Sequence, residues 1–118
     1  MVNERYKVGY SYEYRLMKKL QKLGWLCYRA GGSKGQRAVD LIAVKRDDVL
    51  GRTIIKFIQV KATSSDRKPL SLLKKNEREE LKSLCKMFED FDNVKVELWV
   101  FRRGKRKKEV VDLKERFL

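Results

Sequence analysis

Asp40, Gln59 and Lys61 are the residues whose types and spacing could do chemistry. They lie in two β-type runs, D-L-I-A-V-K over residues 40–45 and I-I-K-F-I-Q-V-K over residues 54–61, joined by the polar turn Asp47-Asp48-Val49-Leu50-Gly51-Arg52. Successive side chains on a strand point to opposite faces, so Gln59 and Lys61 share one. If the runs pair as a hairpin, the start of the first lies opposite the end of the second. Asp40, Gln59 and Lys61 then meet at one end of a sheet. A carboxylate, an amide oxygen and an ammonium gathered at one point suit a hard metal ion and a phosphodiester.

The elements that must position this corner follow from periodicity and turn chemistry. Residues 1–10, with Arg5 and Lys7, read as a loose basic arm. A helix is expected over 11–23, stopped by Gly24. Tyr12, Leu16, Met17, Leu20 and Leu23 form its apolar stripe, with Arg15, Lys18, Lys19 and Lys22 opposite. Glu13 falls inside the stripe, where an unpaired carboxylate is costly. It is either a stripe-edge residue paired with a lysine or a carboxylate turned inward to face a metal or a cation. A strand over 25–29 leads into the loop 30–38, which carries three glycines and two cations. There Ser33, Lys34 and Arg37 can reach phosphate oxygens. The loop lacks the arrangement of a P-loop, and the plain alternative is a surface loop with no ligand.

The runs 39–44 and 53–62 are near-continuously apolar, which implies strands covered on both faces. A polar loop with Lys68 ends at Pro69, the only proline, and a helix over 72–88 places Leu73, Leu81, Leu84 and Phe88 on one face. Residues 94–101 alternate as a half-buried strand, with Val94, Val96, Leu98 and Val100 inward and Trp99 and Phe101 on the more polar face, free to cover a partner. Residues 102–108 form a basic hairpin tip, 110–111 a short strand, and Leu113, Phe117 and Leu118 a docked terminal turn. The order α-β-β-β-α-β-β is that of a mixed α/β (α+β) fold, a central mixed sheet flanked by helices in a single domain over 1–118.

Composition narrows the function. Thirty basic against 16 acidic residues give a net charge of +14, which self-repels and calls for a polyanionic partner, nucleic acid before an acidic membrane surface. There is no histidine and no C-x-x-C pair, which removes a zinc site and every His-dependent nucleophilic mechanism. Cys27 and Cys85 sit in apolar patterns as free buried thiols. No apolar run suits a membrane span or a signal peptide, so a cytoplasmic, DNA-associated protein is expected, from a cellular or a viral source.

Four features occur together in order: a Glu on the first helix, a Gly/Ser-rich basic loop, an Asp opening a strand, and Gln-x-Lys closing the next. Gly9 to Glu13, R-A-G-G-S at 29–33, D-L-I-A at 40–43 and Q-V-K at 59–61 make the chain resemble the PD-(D/E)xK nuclease superfamily, and within it the archaeal-type Holliday junction resolvases. The resemblance implies a restriction-endonuclease-like fold. It implies a Mg²⁺ site, with Mn²⁺ as substitute, held by Glu13, Asp40 and Gln59. Lys61 then orients water or offsets charge on the phosphate, with Arg29 and Ser33 in support. It also implies a homodimer that resolves four-way DNA junctions by paired symmetric nicks, with no membrane partner; Arg29 and Ser33, together with the basic Arg5, Lys7, Lys34, Arg37 and Lys68, are the expected DNA contacts. Spare apolar surface at Trp99, Phe101, Phe117 and Leu118 is available for the dimer. The chain departs from the family at Gln59, where a Glu is expected; an amide oxygen coordinates Mg²⁺ without bringing charge, so metal affinity should fall. The competing readings are a nuclease of the same superfamily acting on duplex or flap DNA, and a non-catalytic basic DNA-binding protein.

Overall fold

The structure, a computed structural model, describes residues 4–30, 37–105 and 107–118, with side chains from Ser11 onward. Its elements run α1 (Glu4–Lys22), β1 (Leu26–Arg29), β2 (Leu41–Asp47), β3 (Arg52–Thr63), a 3-10 turn (Pro69–Leu72), α2 (Lys75–Met87), β4 (Val94–Arg102), β5 (Lys108–Asp112) and α3 (Leu113–Phe117). One five-stranded sheet has the order β1-β2-β3-β4-β5. Every neighbouring pair is antiparallel except β3 with β4, which are parallel and joined through α2. This is the mixed sheet flanked by helices that the order of elements implies.

Both faces of the sheet are covered, which is why the central strands read as continuous apolar runs. On one face Leu16 and Leu20 of α1 pack on Cys27, Leu41, Ala43, Ile58, Val60 and Trp99. On the other, Leu81 and Cys85 of α2 and Leu113 of α3 pack on Val96, Leu98 and Val100. Both cysteines are free and buried, as their apolar settings imply.

Turn chemistry fixes the ends. α1 closes in a Schellman arrangement: the Trp25 N–H donates to the Leu20 carbonyl at 3.0 Å and the Gly24 N–H to that of Gln21 at 3.1 Å. Gly24 takes φ +94°, a left-handed conformation that a side chain would strain. In the β2–β3 turn, Asp47 Oδ1 accepts the N–H groups of Val49 at 3.0 Å and Leu50 at 3.1 Å, and Gly51 turns the chain at φ +65°. This hairpin sets the register Leu41↔Ile58 through Asp47↔Arg52.

Two expectations need correcting. The helix starts at Glu4 rather than near Ser11, so the backbone from residue 4 to 10 is helical where a loose arm is expected. Trp99 is not on a free face: it is 8% exposed, packs under α1, and its indole N–H donates to Glu97 Oε1 at 3.0 Å. Phe101 stacks on Tyr12 at 5.1 Å between centroids. A sheet covered on both faces buries both sets of alternating side chains, so parity along β4 does not identify a free surface. The surface reserved there for a dimer is largely spent on the chain's own core.

Candidate active site

The ends of β1, β3 and β4 and the start of β2 lie at one end of the sheet. The Asp40 N–H donates to the Ile58 carbonyl at 2.8 Å, and the Ala30 N–H donates to the Asp40 carbonyl at 2.9 Å. The residue is therefore pinned between β1 and β3 just before β2 begins. Asp40 Oδ2 accepts the Val60 N–H at 2.7 Å. This carboxyl is pushed up to about 7, chiefly by burial, with the Val60 N–H drawing it down, the neighbouring Glu13 raising it and Lys61 lowering it. Two acidic groups in one desolvated corner repel unless a proton or a cation stands between them.

Glu13 reaches this corner from α1 with a side chain 18% exposed and accepts from Arg29 Nη2 at 3.3 Å. It is a neighbour of Asp40, and its basic partner is an arginine from the end of β1 rather than a lysine.

Gln59 is 3% exposed, the one buried polar residue of the described core. Its Nε2 donates to Glu77 Oε2 at 3.3 Å, and its Oε1 has no hydrogen-bond partner among the described residues. The reversed amide would set its oxygen against a carboxylate, so chemistry fixes the orientation. Lys61 Nζ donates to both oxygens of Glu77, at 2.8 Å and 2.9 Å. Asp40, Gln59 and Lys61 therefore come together at one sheet end, as the hairpin geometry requires, with Glu13 added from α1.

Two acidic residues of α2 join them that the sequence reading passed over. Glu77 holds Gln59 and Lys61, and its Oε1 also accepts the Lys74 N–H at 2.8 Å, the N3 half of a capping box. Glu80 accepts the Ala38 N–H and, at 3.5 Å, Arg37 Nη1, tethering the approach to Asp40. A signal for Glu77 existed: it stands four residues from both Leu73 and Leu81, inside the apolar stripe, the same anomaly that singles out Glu13.

The expected DNA contacts divide. Arg29 is placed on Glu13 and Arg37 on Glu80, while Lys68 is exposed. Arg5, Lys7, Ser33 and Lys34 lie outside the described side chains. A basic groove of about 340 Å³ lies between α1 and the β4–β5 hairpin, with Tyr12 and Phe101 in its lining beside Arg15, Lys19, Lys107 and Lys108. Lys19 lies so close to Lys108 that it holds the Lys108 ammonium below the usual range. Crowded like charges of this kind favour an anion between them.

No protein-family model matches this chain, and no curated protein matches it. A solved structure does. Hjc, a Holliday junction resolvase from the hyperthermophilic archaeon Archaeoglobus fulgidus, matches it with a TM-score of 0.64 over 90% of this chain and 78% of that one, at 18% identity. The chain has the fold of that structure. It is the restriction-endonuclease-like fold that the motifs at 9–13, 29–33, 40–43 and 59–61 imply. In this fold as the chain builds it, the hairpin β2–β3 carries the polar corner and the helices bring acidic residues to it from both faces.

A hard divalent cation fits the residues present. The corner offers carboxylate oxygens from Asp40 and Glu13 and the unpartnered buried oxygen of Gln59, the donor types Mg²⁺ and Mn²⁺ prefer. The described residues contain no group of three or more His, Cys, Asp or Glu side chains placed to hold a metal.

Proposed function

We propose that the chain is a divalent-metal-dependent endodeoxyribonuclease acting on branched DNA, four-way junctions foremost. The observation that carries the reading is the desolvated Asp40–Glu13 pair beside Lys61 and the unpartnered Oε1 of Gln59. The likeness in fold to a Holliday junction resolvase supports the choice of substrate.

Asp40, Glu13 and Gln59 would hold the ion, Mg²⁺ or Mn²⁺. When bound, such an ion polarises a phosphate oxygen and lowers the pKa of water. The chain's own residues do the rest. The ladder bonds on either side of Asp40 fix its carboxylate to within the play of a β-sheet. Lys61, 21% exposed, offers an ammonium where negative charge builds on a phosphate under attack. Arg29 keeps Glu13 turned to the corner. The groove formed by Arg15, Lys19, Lys107 and Lys108 meets the backbone of a DNA arm through phosphate contacts, with Tyr12 and Phe101 giving it an apolar wall. Recognition of a junction would rest on the shape of its arms rather than on base edges. In a homodimer, two such corners related by a twofold axis would nick two strands symmetrically.

The test is cleavage of labelled four-way junction, linear duplex and flap DNA, with Mg²⁺ and with EDTA. Paired symmetric nicks on the junction, lost in EDTA, are expected. Cutting of duplex or flap in preference would move the reading to another substrate. Binding without cleavage in either Mg²⁺ or Mn²⁺ would refute the nuclease assignment and leave a basic DNA-binding protein.

A further inference from the structure

The nuclease corner has a neutral residue at position 59, yet a carboxylate lies within hydrogen-bond reach of it. Glu77 enters from the first turn of α2, accepts from Gln59 Nε2 at 3.3 Å, and is 13% exposed at its side chain. It also accepts from Lys61 Nζ through both oxygens. The two polar residues near the end of β3 are therefore oriented by one acidic residue from another element.

The consequence lies in the Gln59 amide. An amide whose N–H donates to a carboxylate carries more electron density on its oxygen, as a metal-bound histidine becomes a stronger ligand when its far N–H meets a carboxylate. Gln59 Oε1 is that oxygen, buried and unpartnered among the described residues. We propose that Glu77 is the second acidic group of this site, a positioning residue that acts through Gln59: it orients the amide, strengthens Oε1 as a metal ligand, and holds Lys61 beside it. The inference rests on the nuclease reading and deepens it. The negative charge absent from the strand is supplied from the helix, one hydrogen bond further out.

A purely local explanation exists for Glu77. Its Oε1 accepts the Lys74 N–H at 2.8 Å and so caps α2. Capping concerns the stability of α2 and is indifferent to residue 59, so the two roles separate by experiment. Glu77→Gln keeps an amide oxygen for the Lys74 N–H and removes only the charge. Gln59→Glu/Glu77→Gln exchanges the two chemistries between the same positions and again places a carboxylate beside Lys61.

The measurement is Mn²⁺ affinity of the intact chain by electron paramagnetic resonance of the free ion, without DNA, together with melting temperature. Wild type, Asp40→Asn, Glu77→Gln and the exchange variant are compared. The expectation is that Glu77→Gln weakens Mn²⁺ binding about 10–100-fold and that the exchange variant returns it to the wild-type range. An unchanged affinity in Glu77→Gln overturns the inference, whatever happens to the melting temperature. So does an exchange variant as weak as Glu77→Gln, because residue 59 would then be no part of the effect. Wild-type Mn²⁺ binding that is absent, or that survives Asp40→Asn, overturns the nuclease reading itself and this inference with it. Asp40-dependent binding with Glu77→Gln unaffected removes only Glu77.

Discussion

Asp40→Asn should abolish the proposed cleavage while stabilising the metal-free protein. The Asp40 carboxyl is pushed from the usual 3.8 to about 7, chiefly by burial and then by Glu13, against the pull of the Val60 N–H and Lys61. For an acid, a folded-state pKa above the unfolded one means the folded state binds more protons between the two values. Stability from this group is therefore full below about pH 4 and is lost as pH rises towards about 7, remaining low above it. A rise from 3.8 to about 7, at about 1.36 kcal/mol per tenfold change in acidity, sets a ceiling of about 4 kcal/mol on the penalty for ionised Asp40 at pH 8. Solvent reaching the partly exposed carboxylate lowers the expected gain to about 2 kcal/mol. The asparagine variant keeps an oxygen for the Val60 N–H and carries no charge, so it escapes the penalty. By thermal melts in EDTA it should exceed wild type by roughly 6–10 °C at pH 8 and match it near pH 4. Excess Mg²⁺ at pH 8 should close the gap by stabilising wild type alone, through binding to the folded state. A variant that melts below wild type at pH 8, or a difference that does not change with pH, would falsify the electrostatic account of the corner.

Three further outcomes follow from the same geometry. Lys61→Met, which removes the ammonium and leaves Glu77 with Gln59, should lower the cleavage rate by about 10²–10³-fold while junction affinity by gel shift stays within about threefold; equal loss of both would move Lys61 from chemistry to binding. Lys19→Ala and Lys108→Ala should each reduce the slope of log affinity against log salt by about one, if the groove they share meets phosphates; an unchanged slope places the DNA elsewhere. Cys85, whose buried thiol is pushed up to about 11 chiefly by desolvation, should resist iodoacetamide at pH 8 in the native protein and react after denaturation, read by mass spectrometry.

Much of the corner was legible because its causes are local. The hairpin follows from two apolar runs and a turn with Asp47 at its start and Gly51 near its end. Once it forms, strand parity places Asp40, Gln59 and Lys61 at one end of the sheet. Glu13 was legible because a charge inside an apolar stripe demands a partner. Glu77 was missed because the helix was placed from residue 72, which hid its place in the first turn of α2, and because nothing local tells which strand it faces. The destinations of Arg29 and Arg37 depend on pairing with Glu13 and Glu80, 16 and 43 residues away. Trp99 was misplaced for a different reason: alternation separates faces only when one of them meets water, and here α1 covers the second.

The parallel seam between β3 and β4 bears on how the site is assembled in time. The antiparallel pairings of β1 to β3 close short loops and are fast, whereas Ile55↔Val94 must wait for the chain through α2 to fold back. Asp40, Gln59 and Lys61 are in register as soon as the hairpin exists. Glu77 belongs to the crossover itself, so the event that closes the sheet is also the event that delivers its carboxylate to Gln59 and Lys61. A chain with only the hairpin formed has the corner in outline and none of its outer charge. Closure of the seam thus couples the order of the sheet to the placing of Glu77 at the corner.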